Sequence, residues 1–98
     1  MELATLSRKL GPLCIETGID RLCVFGSVAR GEDTKLSDID LIARFGKPVG
    51  LMGLIDIERR MKELLDRPVD LGTEASLHPL IRERVEKDLK IIYERQER

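Results

Sequence analysis

The stretch from Leu22 to Ile42, LCVFGSVARGEDTKLSDIDLI, constrains the fold more than any other part of this chain. It predicts two strands that meet at one end around two short motifs, Gly26-Ser27 and Asp38-Ile39-Asp40. Leu22 to Phe25 is an apolar run rich in strand formers and reads as a buried β-strand. It stops at the Gly-Ser pair, and the helix-compatible Val28-Ala29-Arg30 follows. Strand, glycine turn and helix start make a seat for phosphate. Glycine lets backbone approach a ligand closely, while the first N–H groups and the positive dipole end of a helix favour negative charge. Ser27 adds a hydroxyl there.

Ten residues lie between Ser27 and Asp38, and Gly31-Glu32-Asp33-Thr34-Lys35 among them is polar turn material that returns the chain toward its starting point. The next strand is expected from Asp38 to Phe45. Side chains alternate faces along a strand, so Asp38 and Asp40 project from the same face with Cα atoms about 6.5 to 7 Å apart. Two carboxylates at that spacing can share metal ions. Without a cation, two unit negative charges about 4 Å apart repel by about 4 kcal/mol at an effective dielectric of 20. Hard oxygen ligands of this kind suit magnesium. Each reading has a plainer rival: the acids as solvated strand-edge residues, Ser27 as a simple turn residue, and Arg30 as a surface partner of Glu32 rather than a group that reaches a triphosphate.

Gly26-Ser27, ten residues, then Asp38-Ile39-Asp40 resembles the signature of the DNA polymerase β-like nucleotidyltransferase superfamily. The fuller string GSVARGEDTKLSDIDLI, in so short a chain, resembles the minimal nucleotidyltransferases, stand-alone bacterial and archaeal proteins often paired with a HEPN-domain partner. The likeness covers nearly the whole chain, and both motifs at this spacing on strand ends make it specific. It implies a polymerase β-like nucleotidyltransferase fold, an α/β domain whose small mixed sheet is packed by helices. The first and second strands are expected antiparallel, the second and third parallel.

Pro68 precedes a short strand, Val69-Asp70-Leu71, and a strand, helix and strand joined in this way predict a parallel crossover. Parallel pairing places Asp70 at the same sheet end as Asp38 and Asp40. The superfamily commonly carries a third acid on this strand, and Asp70 is the only acidic residue of the segment flanked by strand formers, so the role is carried over to it.

The resemblance also implies a mechanism. Asp38 and Asp40 are expected to bridge two magnesium ions, and Asp70 to hold the ion that binds the acceptor hydroxyl and to take its proton. Gly26, Ser27 and Arg30 are the expected nucleotide-binding residues, fixing the β and γ phosphates of ATP so that AMP is transferred and pyrophosphate leaves. Larger superfamily members bind the acceptor with an added domain, whereas this chain ends soon after the third acid, so the acceptor is expected from outside. The family pattern implies a HEPN-type toxin that the chain neutralises as an antitoxin, by binding it and by adenylylating a tyrosine on it. The alternative from a different class is a non-catalytic antitoxin or nucleotide-binding regulatory subunit that acts by complex formation.

The remaining residues set bounds. A length of 98 residues fits one domain spanning 1–98, and such a size buries only a little over 60% of the unfolded surface. Oligomeric state stays open, and a partner would add stability. A net charge of −1 with only two Phe and one Tyr argues against a stacking platform or a broad basic face for nucleic acid. Cys14 and Cys23 form neither a disulfide framework nor a zinc pattern and read as reduced, buried thiols of a cytoplasmic protein. No apolar run reaches membrane-spanning length, and Met1-Glu2 lacks the basic flank of a signal peptide.

Glu2 to Leu10 carries Leu3, Leu6 and Leu10 at helical spacing, with an interruption expected at Gly11-Pro12 and a second short helical piece to Thr17, ended by Gly18. Leu51 to Leu65 reads as the most secure helix, with an apolar stripe at Leu51, Leu54, Ile55, Met61, Leu64 and Leu65. Ser76 to about Leu89 reads as another, with Leu77, Leu80, Ile81, Val85 and Leu89 at core spacing and Ser76 or His78 as N-cap before Pro79. Ile91-Ile92-Tyr93 fits either a helical extension or an extended piece, and Glu94 to Arg98 reads as a charged tail.

Overall fold

Leu6, Leu10, Leu13 and Cys14 fall on one face of helix α1, Leu3–Thr17, and all four are buried. The computed structural model describes residues 1–96, apart from the side chains of Ile81 and Arg84. The helix runs unbroken through Gly11-Pro12, which corrects the expected interruption. Pro12 has no N–H to give the carbonyl of Arg8, but burial on both sides of it keeps the residues before and after it in one helix; each large apolar side chain removed from water contributes about 1.5 to 3 kcal/mol. Gly18 then ends the helix in the left-handed region, φ 77°.

Strand β1 (Ile19–Phe25) leads into a single helical turn, α2 (Gly26–Ala29), and the chain returns as β2 (Ile39–Phe45). Helix α3 (Leu51–Leu65) crosses to β3 (Val69–Thr73), and a 3₁₀ turn (Glu74–Ser76) precedes α4 (Pro79–Asp88) and β4 (Lys90–Glu94). The sheet order is β3-β2-β1-β4. The pairs β1–β2 and β1–β4 are antiparallel and β2–β3 is parallel, as expected. The Ile91–Tyr93 segment is therefore an edge strand, and Ile92 is buried in the core while Tyr93 packs partly against it.

Leu22, Val24, Leu41, Ala43, Val69 and Leu71 join side chains of α1 and α3 in one core cluster. The alternate residues Arg21 and Ile42 face a small cavity closed by Leu77, Val85 and Leu89, so α4 covers part of the opposite face. His78 caps α4, its Nδ1 accepting from the N–H of Leu80, with Pro79 in the first helical position.

Three expectations are corrected in detail. On α3 the buried face is Ile57, Met61 and Leu65, with Leu54 partly covered, whereas Leu51 is 72% exposed and Ile55 and Leu64 are about half exposed. A single sheet face can cover only one stripe of a helix, and Leu51, Ile55 and Leu64 lie outside it. On α4 Val85 is buried but Leu80 is exposed, and the side chain of Ile81 lies outside those described. Finally, β2 begins at Ile39, so Asp38 stands in the loop just ahead of it. Of the charged tail, residues 97 and 98 lie outside the described residues.

Candidate active site

The two motifs meet where β1 ends and β2 begins. Asp40 pairs across the antiparallel ladder with Phe25, the residue before Gly26, and across the parallel ladder with Asp70. In-register neighbours on adjacent strands point to the same side of a sheet, with strands about 4.8 Å apart, so Asp40 and Asp70 stand side by side. Asp40 is half-buried, and Asp38 and Asp70 are exposed.

Gly26 adopts φ 72°, a left-handed conformation open to glycine at no steric cost. A Cβ placed there would lie 2.6 Å from Oδ2 of Asp40. The carboxylate of Asp40 is thus seated directly against the turn that opens α2. Because α2 is a single turn, its dipole is small, and the expected phosphate seat reduces to backbone N–H groups of the Gly26-Ser27 turn together with the Ser27 hydroxyl.

Burial pushes the carboxyl of Asp40 above its ordinary range, and the negative charges of Asp70 and Asp38 push it in the same direction. Among the described residues, no cation or hydrogen bond opposes these effects. Crowded, half-open carboxylates without a protein counter-charge are a donor set that fits a hard divalent cation such as magnesium. Among the described residues the three acids are not drawn into a closed cluster of ligands, which is consistent with their mutual repulsion.

Arg30 is placed differently from the other predicted residues. Its guanidinium pairs with Glu32 and with Asp88 of α4, each at 3.0 Å, so the surface reading of Arg30 describes this conformation. Exposed pairs of this kind contribute under about 1 kcal/mol each, which leaves the side chain free to exchange them for phosphate oxygens. Sequence reading passed over Asp33 and Arg67, which form a nearly buried ion pair at 2.9 Å, with Arg67 also donating to the carbonyl of Ser37, the residue before Asp38. A cavity of about 410 Å³ opens at the far end of β2, lined by Arg44, Phe45, Pro48, Val49, Thr73 and Ala75 among others. It lies a strand's length away from the acids and contains none of them.

A model of the nucleotidyltransferase domain matches residues 6–92, from the first turns of α1 into β4, and includes Gly26-Ser27, Asp38-Ile39-Asp40 and Asp70. The chain belongs to the nucleotidyltransferase domain family. This nucleotidyltransferase is 35% identical over 85 residues to a Methanocaldococcus jannaschii protein named "putative protein adenylyltransferase", a match covering 87% of this chain and 91% of the relative. It is 35% identical to a solved "putative minimal nucleotidyltransferase", with a TM-score of 0.78 and coverage of 92% and 95%. It also shares its fold, at 17% identity and a TM-score of 0.75, with a chain of the complex of a tri-AMPylated Shewanella oneidensis HEPN toxin with its MNT antitoxin, covering 96% of this chain and 74% of that one. No helix among the described residues is long and apolar enough to cross a membrane.

Proposed function

We propose that this nucleotidyltransferase is a magnesium-dependent protein adenylyltransferase that transfers AMP from ATP to a hydroxyl of a HEPN-type toxin and so acts as its antitoxin. The observation that carries the reading is the in-register pair Asp40 and Asp70 beside the left-handed Gly26 turn. It brings carboxylates and the backbone N–H groups of a glycine turn to one sheet end, which supports a metal and phosphate site there. The adenylyltransferase name of the Methanocaldococcus relative and the AMPylated toxin held by the Shewanella antitoxin support the choice of AMP and of a protein acceptor.

In this reading Asp38, Asp40 and Asp70 would hold the magnesium, with Asp70 on the acceptor side. Magnesium supplies neutralisation of the triphosphate and a lowered pKa for the attacking hydroxyl. The Gly26-Ser27 turn, with Arg30 released from Glu32 and Asp88, holds the β and γ phosphates and leaves the α phosphorus facing the acceptor. The acceptor oxygen bonds to the α phosphorus, the bond from that phosphorus to the bridging oxygen of the β phosphate breaks, and pyrophosphate departs. A carboxylate oxygen of Asp70 takes the hydroxyl proton.

The test is transfer of label from ATP marked on its α phosphate to proteins of a source-cell lysate, with magnesium and a γ-marked control. The wild type should label a discrete band, and the Asp38→Asn plus Asp40→Asn protein should not. Absence of any band from a wild-type protein that binds MgATP would replace catalysis with antitoxin action by complex formation alone.

A further inference from the structure

The loop between α2 and β2 is fastened by a side chain that lies beyond the next helix, α3, about thirty residues further along the chain. Arg67 lies in the turn after α3, and its side chain is only 11% exposed. Its Nη1 donates to Oδ2 of Asp33 at 2.9 Å, and its Nη2 donates to the carbonyl of Thr34 at 2.7 Å and to the carbonyl of Ser37 at 2.9 Å. Asp33, itself 6% exposed, also receives the Met1 amine at 2.8 Å. The segment that Arg67 grips is closed on itself, the N–H of Thr34 donating to Oγ of Ser37 and the N–H of Ser37 to the carbonyl of Thr34. One residue further on stands Asp38. On the other side, Arg67 is followed by Pro68, whose carbonyl accepts from the N–H of Ile39 at 2.9 Å, and then by β3 with Asp70.

A single guanidinium therefore ties the residue before Asp38 to the residues before Asp70. We infer that Arg67 is a positioning residue that sets where Asp38 stands relative to Asp40 and Asp70, and through them the affinity of the site for divalent metal. The inference rests on the proposed role of the three acids. Three acceptors spread over residues 33, 34 and 37 suit the planar fork of arginine and not the point charge of lysine. Asp38 needs such an anchor more than its companions do. Asp40 and Asp70 are held in strand ladders, whereas Asp38 lies outside β2 and the charges of the other two acids repel it. Groups that orient metal ligands typically change metal affinity by about 10- to 100-fold when removed.

The experiment compares wild type, Arg67→Lys, Arg67→Met and Asp40→Asn. Mn2+ binding is followed by electron paramagnetic resonance with a non-hydrolysable ATP analogue present, alongside thermal melting and the metal dependence of AMP transfer. Both Arg67 variants should bind Mn2+ at least about tenfold more weakly and need correspondingly more metal for half-maximal rate, with kcat recovering at saturating metal. A structural role alone would lower the melting temperature without moving metal half-saturation. If Arg67→Met melts below the assay temperature, Arg67→Lys carries the test. Mn2+ affinity within threefold of wild type in a folded Arg67 variant overturns the inference while leaving the acids' role intact. If Asp40→Asn binds Mn2+ as tightly as wild type, the assignment of the acids fails and the role of Arg67 falls with it.

Discussion

The carboxylate of Asp40 occupies the space that a side chain on Gly26 would need: a Cβ on the glycine would meet Oδ2 of the aspartate at 2.6 Å. The contact joins the two motifs across the β1–β2 ladder. It gives the glycine two independent reasons to be there, a backbone at φ 72° and the seat of a proposed metal ligand. Gly26→Ala should therefore act at both levels. Forcing an L-residue into the left-handed region costs about 1 to 2 kcal/mol, visible as a lowered denaturation midpoint. The short Asp40 side chain can escape the new methyl only by turning away, and a misplacement of that size should lower AMP transfer by about 100-fold or more. A variant that loses stability but keeps transfer within a few-fold of wild type would separate Asp40 from the chemistry.

The crowding of Asp40 by Asp70 and Asp38 predicts an opposition between stability and function. Its carboxyl is pushed upward by burial and by like charge, so the ionised form destabilises the metal-free protein at neutral pH. Asp40→Asn removes one of three mutually repelling charges and keeps the shape. Melting in EDTA should rise by a few degrees, on the order of 0.5 to 1 kcal/mol after solvent screening. Magnesium with nucleotide should then raise the melting temperature of wild type and not of the variant, and AMP transfer should be lost. A variant that melts below wild type in EDTA would show that Asp40 contributes to folding in some other way.

Much of this site was legible because its signals are local. Gly26, Ser27, Asp38 and Asp40 sit within one strand-turn-strand passage, and Asp70 announces itself as an acid between strand formers. The parallel crossover then puts Asp40 and Asp70 on one face, while Asp38, just ahead of β2, lies outside that alternation. What escaped was set by contacts distant in sequence. The stripe on α3 could be drawn through Ile55 or through Ile57 from spacing alone, and only the placement of the sheet selects Ile57. Ile91-Ile92-Tyr93 could join a helix or a strand until β1 offered them an open edge. Arg67 was unreadable because two of its acceptors are backbone carbonyls, which carry no residue signature.

Pro12 lies at an interior position of α1, where the ring removes one helical hydrogen bond. An interior proline costs about 3 kcal/mol relative to alanine, partly offset because proline restricts the unfolded chain by about 0.4 to 1 kcal/mol. Pro12→Ala should stabilise the protein by about 2 kcal/mol, read as a higher urea midpoint with an unchanged m-value. Transfer activity should stay at the wild-type level, since α1 contributes to the core and not to the acids. Pro12 is exposed, so no core space is lost with its ring, and a lower midpoint would overturn the cost assigned to the interior proline.

Asp33 gives the chain a defined response to acid. The Met1 amine and then Arg67 hold its carboxyl below the usual carboxylate range, so the folded state favours the ionised form more than the unfolded state does. A carboxyl lowered on folding contributes stability above its unfolded pKa, about 3.9, and loses that contribution as pH falls through the lower folded value. Asp33→Asn should accordingly destabilise by roughly 1 to 2 kcal/mol at pH 7, because Arg67 and the Met1 amine then face a neutral amide in place of a carboxylate. The difference between wild type and variant should shrink as the pH drops below about 4. Melting curves for both proteins from pH 7 down to the onset of acid unfolding measure it. A difference that persists unchanged into that range would place the stabilisation in the shape of the loop rather than in the charge of Asp33.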